Sequence, residues 1–232
     1  MKPTARGVLL AAFTGLLVIM AIPGSSVSVH AASSTCTLNH EFIGADSNYF
    51  TMYGAGSNMN TDAAKQVCDN VSVSPMLTNS ATNQNDDWAQ IGLIQLNGQS
   101  SQYLFYEWAT SAAPGPIEEF SGAPGGTYAY AVTYDGSNQT YYFYFDGKVQ
   151  KTISDIGWSP NWTQFYGEVH ANQDYVPGSS SNPEKETNVE YFQSGSWHNF
   201  SSSQPLYYSN GTPYGKFSSQ GTYSFGIYDS RA

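Results

Sequence analysis

The sequence predicts an all-β fold, an antiparallel β-sandwich with at most one short helix. Three observations carry this. Apolar and polar residues alternate with period two in the clearest segments, the mark of strands that bury one face. Gly, Pro, Asn and Ser clusters interrupt the chain at short intervals, as turns do between short strands. Helical spacing is confined to Thr61–Cys68, where Asp62 stands near a helix start and Ala63, Ala64 and Val67 recur at helical intervals.

The N-terminal segment reads as a leader. Lys2 and Arg6 form a short positive region, residues 8–22 are mostly apolar, Pro23-Gly24 breaks the run, and Val29-His30-Ala31 fits a small-residue cleavage rule. Residues 1–31 are therefore expected to be a signal peptide. Residues 32–232 are expected to be one sandwich domain, with no membrane span after the signal is removed. Two cysteines remain, Cys36 and Cys68. An isolated pair in a secreted chain is expected to form a disulfide, closing a loop worth roughly 3–4 kcal/mol in chain entropy.

Strand signals then follow in order. Trp88–Leu96 puts Trp88, Gln90, Gly92, Ile94 and Leu96 on one face and Ala89, Ile91, Leu93 and Gln95 on the other. After a turn at Asn97-Gly98, Ser101–Ala109 sets Tyr103, Phe105 and Glu107 against Leu104, Tyr106 and Trp108, and the two segments are expected to form a hairpin. Ala112–Gly126 reads as a Pro/Gly-rich loop carrying Glu118 and Glu119. Strands are expected at 127–134, 140–145 and 148–153, the last two joined by Asp146-Gly147, a strong two-residue turn signal. Tyr141–Phe145 is aromatic on both faces, which suggests a central strand covered on both sides. Thr163–His170 is a strand with Gln164, Tyr166, Glu168 and His170 on one face. Gln173–Lys185 reads as a long polar loop, and Glu184-Lys185-Glu186 as a solvated part of the chain. Strands near 187–193, 205–208 and 223–228 complete it.

Composition narrows the function. Eight Lys and Arg against eighteen Asp and Glu give a formal charge of −10. There is no basic stripe interleaved with aromatics, so nucleic acid is not an expected partner. No His or Cys pair has ligand spacing, so neither a metal nor another cofactor is expected. No Gly-x-Ser-x-Gly motif accompanies His170 or His198, which argues against a Ser–His triad.

Glu168 and Gln90 carry the candidate chemistry. Gln90 sits among Trp88, Gly92 and Ile94, where a carboxamide costs free energy unless it finds a partner. A carboxylate and a carboxamide on neighbouring strands, as Glu168 and Gln90 are expected to be, can activate water and stabilise an oxyanion, or they can hydrogen-bond a sugar. The order Trp88-Ala-Gln-Ile-Gly92, Tyr106-Glu-Trp108, Tyr166-Gly-Glu-Val169 resembles the glutamic endopeptidases called eqolisins, and the Gly-Glu-Val step also resembles neprosin-type glutamic peptidases. The resemblance implies a concanavalin-A-like jelly roll, with Gln90 as the oxyanion-stabilising residue, Glu168 as the catalytic carboxylate that activates water, and Glu107 as an accessory carboxylate. Trp88, Tyr166 and His170 flank these as candidate substrate contacts. Phe42-Ile-Gly-Ala45 and Ser74-Pro-Met-Leu77 stand where eqolisins carry an Asn-Trp-Ala-Gly-like start and a Trp.

The implied activity is acid hydrolysis of polypeptides by a secreted, monomeric protein. Two other readings stay open. Glu107, Glu118, Glu119 and Glu168 could serve a two-carboxylate glycosidase. Trp158, Trp162, Tyr166, Tyr175 and Trp197 could stack on sugar rings in a non-catalytic, lectin-like module that binds polysaccharide.

Overall fold

The computed structural model describes residues 36–60, 67–68, 72–80, 87–96, 99–110, 113–210 and 213–232. The expected signal peptide and most of the expected helix, residues 61–66, lie outside them. The chain is all-β, two antiparallel sheets face to face, as the alternation predicts. Among the described residues no helix is long and apolar enough to cross a membrane.

Among the described residues sixteen strands run in chain order. They are β1 (Leu38–Ser47), β2 (Gly54–Asn60), β3 (Ser72–Ser80), β4 (Trp88–Gln95), β5 (Tyr103–Thr110) and β6 (Ala113–Gly122). Next come β7 (Thr127–Asp135), β8 (Thr140–Phe145), β9 (Lys148–Ile153), β10 (Trp162–Ala171) and β11 (Gly178–Ser179). The last are β12 (Asn182–Gln193), β13 (Ser196–Asn199), β14 (Leu206–Asn210), β15 (Gly215–Gln220) and β16 (Ser224–Asp229). One sheet has seven strands in the order β14-β1-β10-β3-β4-β5-β6. The other runs β15-β16-β12-β2-β7-β8-β9, with β11 and β13 attached to β12. The interior between them is built from the inward faces of both sheets. Ile43, Ile91 and Phe165 come from one side, and Tyr130, Phe143 and Ile227 from the other.

Strands β4 and β5 pair as expected, with Gln90 opposite Glu107, while the expected turn at 97–98 lies outside the described residues. The β8–β9 turn places Asp146 at φ 48° and Gly147 at φ 71°, the backbone that an Asp-Gly turn favours. Cys36 and Cys68 form a disulfide. Disulfides persist in oxidising compartments, which is consistent with an extracellular protein.

Three expectations are corrected. The Pro/Gly-rich loop at 112–126 contains a strand, β6. It lies at the edge of its sheet, where a proline's missing N–H can face outward. Its register slips between Trp108 and Thr110, opposite the Pro114-Gly-Pro116 stretch. Glu184 and Glu186 are not solvated: β12 starts at Asn182 and both carboxylates are fully buried. A bulge between Thr187 and Glu190, with Asn188 at φ 52°, then shifts the alternation so that Val189 and Tyr191 face the core in their turn. Finally, β8 is the penultimate strand of its sheet. Tyr141 and Phe143 are buried inward, while Tyr142 and Tyr144 are only half-buried on the outer face.

Candidate active site on the seven-stranded sheet

The outward face of the seven-stranded sheet carries every residue of the predicted site. On β10 the odd-numbered Phe165 and Val169 enter the core, which turns Gln164, Tyr166, Glu168 and His170 outward. Gly167 belongs to the inward set. A Cβ built there would lie 2.5 Å from Cδ1 of Ile227 on the opposite sheet, so the glycine of the Gly-Glu-Val motif serves sandwich packing and leaves Glu168 on the free face. On β4 the inward Ala89, Ile91 and Leu93 likewise leave Trp88, Gln90 and Ile94 outward.

Gln90 and Glu168 are each only 5% exposed. The side-chain amide of Gln90 donates to the Glu107 carboxylate directly across the β4–β5 pair. The Tyr166 hydroxyl donates to the Gln90 amide oxygen at 3.3 Å. Both ends of the carboxamide are thus held, which meets the cost of burying it. Glu168 pairs instead with its strand neighbour His170, Oε1 to Nε2 at 3.1 Å. His170 is itself fixed from behind, its backbone N–H donating to Asp174 at 3.2 Å.

Register decides which of these residues meet. The row through Gln90 crosses Thr78 on β3 to Gln164 on β10 and Asp46 on β1. The row through Glu168 crosses Val73 to Ile94. Glu168 and Gln90 are therefore not on neighbouring strands as expected: β3 pairs between them, Glu168 stands two strands and four residues along from Gln90, and Tyr166 spans part of the interval. Tyr166, Ile94 and Phe105 form a small apolar cluster on this face, with Phe42 edge-on to Tyr166 at 5.1 Å. Gln90, Glu107 and Tyr166 form one group, Glu168 and His170 another. Trp88 is half-buried at the start of β4.

Reading the residues singly did not single out Gln164 or Asp46, both in the Gln90 row. Asp46 has its carboxyl pushed above the ordinary aspartate range by burial, against hydrogen bonds from its own backbone and from Trp162. No local signal marks it; the β1–β10 pairing brings it there. Among the aromatics expected to stack on sugars, Trp158 is buried against Tyr141 at 4.8 Å, and Tyr175 lies under Arg231 at 4.1 Å. Tyr166 is buried, and Trp162 is half-buried 6.0 Å from Tyr49. Trp197 is 40% exposed, but it belongs to the other sheet. Among the described residues no group of three or more His, Cys, Asp or Glu side chains could hold a metal ion.

Comparison with known proteins supports the fold. No protein-family profile matches the chain, and no curated protein sequence does. Solved structures do match. Scytalido-glutamic peptidase, bound to a peptide-based transition-state analogue, superposes at a TM-score of 0.60 and 11% identity, covering 83% of this chain and 100% of the peptidase. SCP-B, a member of the eqolisin family in complex with the tripeptide Ala-Ile-His, gives 0.60 at 12% identity with the same coverage. A Bacillus licheniformis β-glucanase overlaps 53% of the chain at a TM-score of 0.37. The chain is thus similar in fold to eqolisin peptidases, at an identity that speaks to architecture and not to chemistry.

Proposed function

We propose that the protein is a secreted, acid-acting hydrolase of polypeptides, working on the outward face of the seven-stranded sheet in the manner of a glutamic peptidase. The observation that carries this reading is the pre-set carboxamide. Gln90 is buried, oriented by Glu107 and Tyr166, and shares its sheet face with the buried Glu168–His170 pair. The likeness in fold to peptidases of this architecture over 83% of the chain supports it.

Glu168 and Gln90 are assigned to one scissile carbonyl, which requires their side chains to converge on it over the two strands and four residues that separate them. Glu168, as carboxylate, takes a proton from water. The resulting hydroxide attacks the scissile carbonyl, and the proton then passes to the leaving amine as the C–N bond breaks. An amide N–H of Gln90 donates to the oxyanion, a contact worth about 3–4 kcal/mol at such sites. His170 Nε2 lies 3.1 Å from Glu168 Oε1 and holds the carboxylate in place on this face. A carboxylate base acts best near its own pKa, which sets the optimum in acid.

The test is cleavage of denatured casein between pH 2 and 6 by the wild type, Glu168→Gln, Glu107→Gln and Gln90→Ala. Loss of about a hundredfold or more in kcat for Glu168→Gln and Gln90→Ala is expected. Full activity of Glu168→Gln with loss in Glu107→Gln would move the base to Glu107, the carboxylate that Gln90 touches. Cleavage equal in all four proteins would remove this face from the chemistry.

A further inference from the structure

The outer face of the second sheet holds a groove of about 960 Å³, on the side of the sandwich away from Gln90 and Glu168. Two cross-strand rows build it. One runs Phe192–Gly54–Thr133–Tyr142 and the other Glu190–Gly56–Ala131–Tyr144. Each row has small residues at its centre, on β2 and β7, and large ones at its ends, on β12 and β8. The floor is therefore low and the walls high. The walls stand three strand spacings apart, about 14 Å. On the β8 side the wall is Tyr142 and Tyr144, with ring centroids 6.4 Å apart. On the β12 side it is Phe192 and Trp197, with centroids at 5.2 Å. A Cβ built on Gly56 would lie 3.2 Å from the Trp197 ring and from Ala131 Cβ, so the glycine lets the indole lean in from the β12 side and form a platform on the Gly56 part of the floor. The loop at the end of the groove is fixed, since Tyr53 N–H donates to Phe192 O and Tyr134 N–H to Tyr53 O, both at 2.7 Å.

The lining chemistry selects among occupants. Asp135 and Glu190 supply carboxylates, Asn58, Asn188 and Thr133 supply neutral hydrogen-bonding groups, and among the described residues no Lys or Arg lines the groove. Polyanions are repelled by this lining. A peptide strand would need free backbone groups. The floor strands β2 and β7 spend theirs on each other and on their flanking partners β12 and β8. Exposed aromatic faces beside carboxylate and amide groups suit rings that are apolar on their faces and hydroxylated at their edges.

We infer that this groove is a binding site for a neutral polysaccharide chain, lying along β2 and β7 between the Tyr142–Tyr144 and Phe192–Trp197 walls. It is separate from the site proposed for peptide hydrolysis, and the two can stand or fall independently. A protein that held a neutral wall or matrix polysaccharide on one face could act on protein embedded in it with the other.

Binding decides the matter, with no hydrolysis readout. Calorimetric titration of the full chain uses hexasaccharides of β-1,4-glucan, β-1,3-glucan, xylan and mannan, with polygalacturonate and a casein peptide as comparison ligands. The same titrations follow on Trp197→Ala, Tyr144→Ala and the groove-filling Ala131→Trp, each checked by thermal melting. The expected result is binding of at least one neutral glycan, weakened about tenfold or more in each truncation, the effect of losing one aromatic anchor, and abolished in Ala131→Trp. Failure of all four glycans to bind, binding indifferent to all three variants, or binding of only the polyuronate or the peptide would each overturn the assignment.

Discussion

Glu186 lies fully buried between the sheets, with the Ser57 hydroxyl donating to its Oε2 at 2.7 Å. Burial pushes its carboxyl up to about 8, only partly offset by that hydrogen bond. The native state therefore keeps a proton that the unfolded chain releases near pH 4.5. Stability from this group is complete below that value and declines as pH rises to about 8, by a few kcal/mol in all. The midpoint of thermal unfolding should fall over that interval, and Glu186→Gln should flatten the fall. A wild-type midpoint independent of pH between 4.5 and 8 would contradict the protonated state. Asp46 is shifted in the same direction and has the same sign. Both favour an acidic working range. Glu186 also shows a limit of reading residues alone. A Glu-Lys-Glu triplet beside prolines has the composition of a loop, and only β12 pairing with β2 and β16 makes it core.

At the level of single strands, β10 and its neighbours set the site. A Cβ on Gly44 would collide with the backbone carbonyl of Phe165 and with Tyr166, so β1 reaches this register only with glycine there. Gly44→Ala should separate the strands, cost about 1–3 kcal/mol as overpacking does, and loosen the Tyr166 hydroxyl from Gln90. Chemical denaturation measures the first effect, and a fall in casein turnover beyond the loss of folded protein reports the second. Strand β3 carries Pro75 in the middle of the sheet, which reads against a central strand. The register shift between Val73 and Met76 accommodates it, on the sides of both β4 and β10. That shift lies between the Glu168 row and the Tyr166 row. The Cys36–Cys68 bridge closes 32 residues between the approach to β1 and the approach to β3. Reduction should cost about 3–4 kcal/mol on the chain-entropy account, seen as a lower unfolding midpoint in reductant that is absent in a Cys36→Ser, Cys68→Ser double variant.

Across the whole molecule, the two sheets divide the surface into two unlike faces. One carries the buried carboxamide and carboxylates, and the other an open aromatic groove. Alternation and turn residues determined the sandwich class, the β4–β5 pairing, the Asp146-Gly147 turn and the direction in which Glu168 and Gln90 point. These follow from period-two geometry, which is local and written residue by residue. Tertiary structure decided what each side chain meets. Register across β3 aligned Gln90 with Gln164 and Glu168 with Ile94, because strand pairing is a long-range choice that alternation leaves free by steps of two. It also turned the aromatic stretch Tyr141–Phe145 into half core and half groove wall. That depends on β8 lying one strand from the edge with no layer outside it, a placement no local pattern encodes.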